Sequence, residues 1–216
     1  MKGGFFMRKF SVNLRAMVLS GLLAAMGIVL QYFSITMPLM RIGISPVPIM
    51  VAGLVLGPVY GGITGLVKDT VGFLVAGQGS FFPPITVIQM LYGILPPLLL
   101  PLFRTPVHWV WDKAVRPDKV QRPALRWLAG VPARLVTCYL VVATTQFITG
   151  GLLMPAALCL LLDRQLTAQL WLARFVARLP QQVIYLAGYP AVTYPILEAL
   201  SGATRSVREA ALFRHT

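Results

Sequence analysis

Residues 41–95 read RIGISPVPIMVAGLVLGPVYGGITGLVKDTVGFLVAGQGSFFPPITVIQMLYGIL, and the punctuation of this stretch decides the fold. From residue 42 to residue 103 the only charges are Lys68 and Asp69. A bilayer crossing takes about 20 apolar residues in a helix, so this block is too long for one or two crossings. Its turn residues divide it into three. Pro46 and Pro48 open one segment and Gly57-Pro58 closes it. Gly77-Gln78-Gly79 closes the next, and Pro83-Pro84 opens the last. At about 1.5 Å per residue the segment from Pro46 to Gly57 does not cross a full bilayer alone. It is half-length, or it continues through Pro58 with a bend.

The rest of the chain agrees with a membrane environment. Of 216 residues, 57% are hydrophobic and 12% are charged, and mean hydropathy is +0.76. Soluble domains run at about half apolar and about a quarter charged, and a core of this size does not hide so much apolar surface from water. A soluble domain and a disordered chain are both excluded. The length leaves no room for a nucleotide-binding domain, and no GxxxxGK[ST] loop is present. Cys138 and Cys159 lie in apolar stretches without CxxC spacing and read as buried thiols. His108 and His215 are too few for a metal site, so no metal or other cofactor is expected. The net charge of +13 first suggests nucleic acid. Hydropathy argues against that partner. So does the placement of the basic residues, which flank apolar runs as cytoplasmic loops do.

The sequence therefore predicts an all-α integral membrane protein in a single membrane domain, residues 1–216. Six transmembrane helices are expected over about 14–37, 46–57, 58–76, 84–103, 131–162 and 169–200. The uncharged run from Ala16 to Met40 is longer than the roughly 7–15 residues of a signal h-region, so it reads as a retained first span. A basic connection over 104–128 carries Arg104, Lys113, Arg116, Lys119, Arg122 and Arg126. Six spans put both termini on one side, and placing them in the cytoplasm collects 14 of the 19 basic residues there or at that interface.

Several residues do not suit a lipid-facing helix. Arg41 reads equally as a snorkelling anchor or as a cation meeting an anionic ligand. Lys68 and Asp69 point about 100° apart on a helix and read as structural charges, each satisfied by another helix. Arg174 and Arg178 are four apart, with no acid between Gln165 and Leu197 to neutralise them. Their shared face suits a carboxylate, which arginine binds bidentately, and Gln181 and Gln182 follow with hydrogen-bonding capacity. Phe81, Phe82, Pro83 and Pro84 follow a glycine-rich turn. They form either an interfacial belt or the tip of a loop that caps a pocket and stacks on a ring. Gln89 and Gln146 are interhelical glue or readers of a heterocycle edge. Gly57, Gly61 and Gly65 repeat every four residues and read as packing within the bundle. The Gly21/Ala25 face packs inside the bundle or docks a partner subunit.

The quoted stretch resembles the substrate-binding (S) components of energy-coupling factor (ECF) vitamin transporters, of the folate type. The residues that carry the resemblance are Arg41-Ile42, Pro48-Ile49, Ala52-Gly53, Gly57-Pro58, Gly65 to Asp69, Gly72-Phe73 and Gly79 to Pro83. Residues 21–25, Gly-Leu-Leu-Ala-Ala, are similar to the family's motif facing the coupling subunit. The second half departs from the folate-type pattern. Gln181 stands where an Arg-x-x-Lys motif has lysine, and Gln146 stands roughly where an asparagine is wanted.

The resemblance implies a six-helix fold and a pocket near the outer face, closed by the loops after the first and third spans. It implies docking on a coupling transmembrane subunit and two ATPase subunits, with transport by toppling in the lipid bilayer, and no catalysis by this chain. The substrate-binding residues it suggests are Arg41, Phe81, Phe82, Pro84, Gln89, Gln146, Trp171, Arg174, Arg178 and Gln182, with Gly21 and Ala25 at the partner interface. The arginines suit the carboxylates of folate, and Phe81, Phe82, Trp171 or Tyr185 suit stacking on its ring. A thiamine site would instead supply acids, and a riboflavin site would not need clustered arginines. An S component for another vitamin or precursor remains the near alternative. A stand-alone secondary transporter ranks below it, because the two halves show no inverted repeat.

Overall fold

In the computed structural model, residues 14–36, 41–76, 82–114, 133–163 and 167–203 are described. Helix α1 (Leu14–Tyr32) leads through a small hairpin, β1 (Ile35–Thr36) and β2 (Arg41–Ile42), into α2 (Val47–Leu56). Then follow α3 (Pro58–Ala76) and α4 (Pro83–Ala114). Next, α5 (Ala133–Gln146) continues through a π-helical segment (Phe147–Leu153), α6 (Met154–Leu158) and a second π-helical segment (Cys159–Asp163). Helices α7 (Ala168–Ala177) and α8 (Leu179–Ala203) complete the described fold. Among the described residues, four apolar helices are long enough to cross a membrane: Leu14–Tyr32, Pro83–Val107, Ala133–Leu162 and Leu179–Leu200. The hairpin, antiparallel with Thr36 opposite Arg41, is the one strand pair among the described residues and the one departure from an all-helical chain.

Helix α2 is the centre. Every residue from Val47 to Val55 is buried, as expected of a helix that is hydrophobic all round. Ten residues span roughly 15 Å, so α2 is shorter than a full bilayer crossing and lies buried inside the bundle. Pro46 and Pro48 begin it, where a missing N–H costs nothing. Gly57 ends it at φ 97°, in the left-handed region that glycine tolerates, and its N–H is donated to the Gly53 carbonyl. Pro58 then opens α3 at once. Gly57 thus works by conformation. A Cβ there would meet nothing within 4 Å, which separates it from Gly61 and Gly65 in the four-residue series.

Helices α2, α3 and α4 meet backbone to backbone. A Cβ on Gly53 or Gly61 would strike the Gly93 carbonyl, one on Gly93 would strike the Gly61 carbonyl, and one on Gly65 would strike the Gln89 carbonyl. Pro97, inside α4, has no N–H to donate to Gly93 four residues earlier. The Gly93 oxygen instead faces the Cα–H groups of Gly53 and Gly61, a weak but recurrent contact between close helices. Around this crossing the core fills with Ile49, Met50 and Val51 of α2, Leu100 of α4 and Val141 and Val142 of α5.

Two helices differ from the sequence expectation. Helix α4 runs on past Phe103 to Ala114, into the stretch assigned to a basic connection. The region expected to be one helix over 169–200 breaks at Arg178. Pro180 lacks an N–H and its ring crowds the carbonyl four residues back. The end of α7 accordingly tightens to an i−3 bond, Arg178 N–H to the Phe175 carbonyl at 3.1 Å. The basic N-terminus, residues 115–132 of the basic connection, Arg164, and the tail arginines Arg205, Arg208 and Arg214 lie outside the described residues.

Replacing Gly93 with alanine should destabilise the protein by about 1–3 kcal/mol or more, the cost of overpacking a tight contact. Gly21→Ala, where a Cβ meets nothing within 4 Å, should leave the midpoint unchanged or slightly raised. Thermal unfolding in detergent micelles measures both.

Candidate functional site

The helices enclose a cavity of about 290 Å³ at the end of the bundle where α1 and α3 finish and α4 and α8 begin. Gln31 and Ser34 come from the end of α1 and its exit, and Gly43, Ser45 and Pro46 from the hairpin and the turn into α2. Lys68 and Asp69 of α3 and Gln89 and Tyr92 of α4 face Gln146 and Gly150 of the fifth span. Arg178 at the α7–α8 break, with Gln181, Gln182, Tyr185 and Tyr189 of α8, completes the wall.

A chain of hydrogen bonds crosses the floor. Tyr92 Oη donates to Gln146 Oε1 at 2.9 Å, and Gln146 Nε2 donates to Gln182 Oε1 at 3.2 Å. Gln146 is 1% exposed, so burial of its amide demands these partners. Its position follows from the local backbone. Pro155 has no N–H, and the helix ahead of it widens into π geometry, with the Met154 N–H reaching the Thr149 carbonyl. Within that turn Gly150 stays bare. A Cβ there would run into Gln146 Nε2 and sit 2.9 Å from Tyr92 Oη.

The hairpin is fastened over the cavity by two tyrosines. The Gly43 N–H donates to Tyr185 Oη at 3.2 Å, and Tyr189 Oη donates to the Gly43 carbonyl at 2.8 Å. The two rings stack with centroids 4.5 Å apart. Gln181 Nε2 also donates to Tyr185 Oη, at 3.0 Å.

Among the described residues, the charges of the cavity are Lys68, Asp69 and Arg178. Lys68 is 3% exposed, and its stem passes the bare Cα of Gly27, where a Cβ would lie 3.1 Å from it. Asp69 Oδ2 accepts from Thr86 Oγ1 at 2.6 Å, which ties α3 to the first turn of α4. Gln89 Oε1 is buried and accepts no hydrogen bond among the described residues. No cluster of three or more His, Cys, Asp or Glu with metal-ligating geometry occurs among them either.

Of the residues singled out in the sequence, Gln89, Gln146, Arg178 and Gln182 come together in this cavity. Arg41 stands on β2, two residues before the cavity-lining Gly43, and its side chain lies outside the described residues, as does Phe81. Phe82 is half-buried and packs on the core, and Pro84 is the second residue of α4; neither lines the cavity. Trp171 stacks on Phe175 with centroids 5.3 Å apart and donates Nε1 to the Leu152 carbonyl at 3.2 Å, which staples α7 to the fifth span. Arg174 sits on α7 and does not line the cavity, whereas Arg178, one turn further at the break, does. Lys68 and Asp69, read from the sequence as structural charges, both line the wall. Tyr92 and Tyr189 gave no sequence signal, being aromatic residues in apolar runs.

The sequence profile described as "ECF transporter, substrate-specific component" matches residues 15–197. The folate transporter FolT of Clostridium novyi (strain NT) is 32% identical over 68 residues. That stretch is 30% of this chain and spans 40% of that relative's length. A crystal structure of FolT bound with folic acid is similar in fold, with a TM-score of 0.51 over 85% of this chain and 93% of that one at 22% identity.

Gln146→Ala should lower stability by about 1–3 kcal/mol, because Tyr92 and Gln182 are left buried without their partner. Gln182→Ala should cost less, since it ends the chain. Unfolding midpoints in detergent read both, and a Gln146→Ala midpoint equal to the unmodified protein's would remove the network from the account.

Proposed function

The chain belongs to the family of substrate-specific components of ECF transporters, and from that membership we propose that it captures folate at the extracellular face and delivers it to an ECF coupling module. It is a membrane-embedded substrate-binding component and not an enzyme. The cavity carries the folate reading. It holds about 290 Å³, near the lower end of the roughly 300–1,000 Å³ usual for small-molecule pockets. Its wall combines a row of amides, stacked tyrosines and two cations against one carboxylate. A flat heterocycle with hydrogen-bonding edges and an anionic tail suits that composition. A cationic ring does not.

In this reading the single membrane domain has six transmembrane helices, with α2 the short buried one and α7–α8 the broken last one, and both termini are cytoplasmic. The cavity then opens to the outside. Arg178 meets a folate carboxylate, and Gln89, Gln146 and Gln182 read the ring. Arg41 on β2 and Phe82 and Pro84 at the start of α4 stand next to cavity residues along the chain, and Trp171 and Arg174 lie on α7, off the cavity wall. On α1, Gly21 and Ala25 are exposed between Val18, 63% exposed, and Val29, 55% exposed. This small-residue stripe is where the coupling transmembrane subunit docks, with two ATPase subunits behind it. Toppling of the whole domain then carries folate inward.

The purified protein in detergent, titrated calorimetrically, should bind folic acid at one site, with thiamine and riboflavin as controls. Arg178→Ala should weaken folic acid binding by about 1.5–3 kcal/mol, the worth of a hydrogen bond to a charged group. Arg174→Ala should change it by less than about 0.5 kcal/mol, as for surface substitutions. Saturable binding of a control vitamin in place of folic acid would keep the family and discard the folate reading.

A further inference from the structure

Two acceptors on neighbouring helices point to how the ring is chosen. On α3 and α4, Gly65 lies against the Gln89 backbone, and one turn along Asp69 bonds Thr86. This antiparallel register brings the side chains of Asp69 and Gln89 to the same wall of the cavity. Gln89 Oε1 is buried with no donor among the described residues. Asp69 commits Oδ2 to Thr86, and among the described residues Oδ1 is left to accept another bond. A buried acceptor without a donor costs free energy until something supplies one. Both atoms are acceptors, so the ligand edge that satisfies them carries two N–H donors side by side.

We infer that Asp69 and Gln89 are the specificity-determining pair of this site, reading adjacent ring N–H and amino groups of the kind a 2-amino-4-oxopyrimidine edge presents. Lys68 and Arg178 sit on the same cavity, so the donors come from a neutral ring and not from a cation. The inference rests on the folate reading, in which the pterin supplies that edge while Arg178 holds the carboxylate end.

The test uses the intact protein in detergent. Pterin should displace folic acid roughly tenfold or more better than lumazine, in which a carbonyl replaces the 2-amino group. This comparison needs no variant and so is independent of folding. Asp69→Asn and Gln89→Leu should each weaken folic acid and pterin-6-carboxylate roughly tenfold or more, and leave p-aminobenzoylglutamate, which lacks the ring, unchanged. Thr86→Val should retain most of the affinity, since the carboxylate survives. Equal displacement by pterin and lumazine, or folic acid affinity within about twofold in both variants, would overturn the pair's role while the folate reading stands. No binding of folic acid to the unmodified protein would overturn both.

Discussion

The fold depends on one contact: the backbone crossing of α2, α3 and α4 at Gly53, Gly61 and Gly93. Helices with ordinary side chains pack with axes about 8–10 Å apart. Here bare Cα atoms lie against carbonyl oxygens, so a ten-residue helix is drawn fully inside a membrane protein. In lipid there is little hydrophobic force between helices, and close packing of small residues takes its place. The consequence reaches the cavity. Gly65, on the same face one turn further, sets the register that pairs Asp69 with Thr86 and turns Gln89 and Tyr92 inward. A wider crossing would separate α3 from α4 and dissolve that wall.

How much of this the sequence disclosed varies with the kind of signal. Proline and glycine act locally, so the boundaries at Pro46, Gly57-Pro58 and Pro83 stand where the turn residues put them. Spacing is a weaker guide. The series Gly57, Gly61, Gly65 looks uniform, yet the first residue is there for its φ of 97° and the others for missing side chains. Four-residue spacing likewise gave Arg174 and Arg178 one role, yet of the two only Arg178 lines the cavity. Pro180 was visible, but whether a proline kinks, breaks or is absorbed depends on packing, and α4 absorbs four of them. Gln146 stood out as a polar residue in an apolar run, whereas its partners Tyr92 and Gln182 are set by contacts between helices far apart in sequence. Lys68 and Asp69 show the limit most plainly. Adjacent residues on a helix diverge, and nothing local reveals that a cavity lies where both can reach it.

The same cavity explains why intramembrane charges are tolerated here. An ion taken from water into a low-dielectric interior costs several kcal/mol unless it is compensated, and Lys68 is almost fully buried. It lines a polar pocket together with Gln31, Ser34 and Ser45 and with Asp69 of its own helix. Arg178, at the junction of α7 and α8, lies on the cavity wall with Gln181 and Gln182. With Lys68 and Arg178 against Asp69 among the described residues, the wall carries an excess of positive charge. An anionic ligand removes that excess and adds charge-assisted hydrogen bonds, while a cation adds to it. The irregular backbone at Arg178 and the inward charges meet at this one cavity. Non-helical structure at membrane depth is tolerated where it lines a cavity, and Arg178, at the break, is a cavity-facing cation.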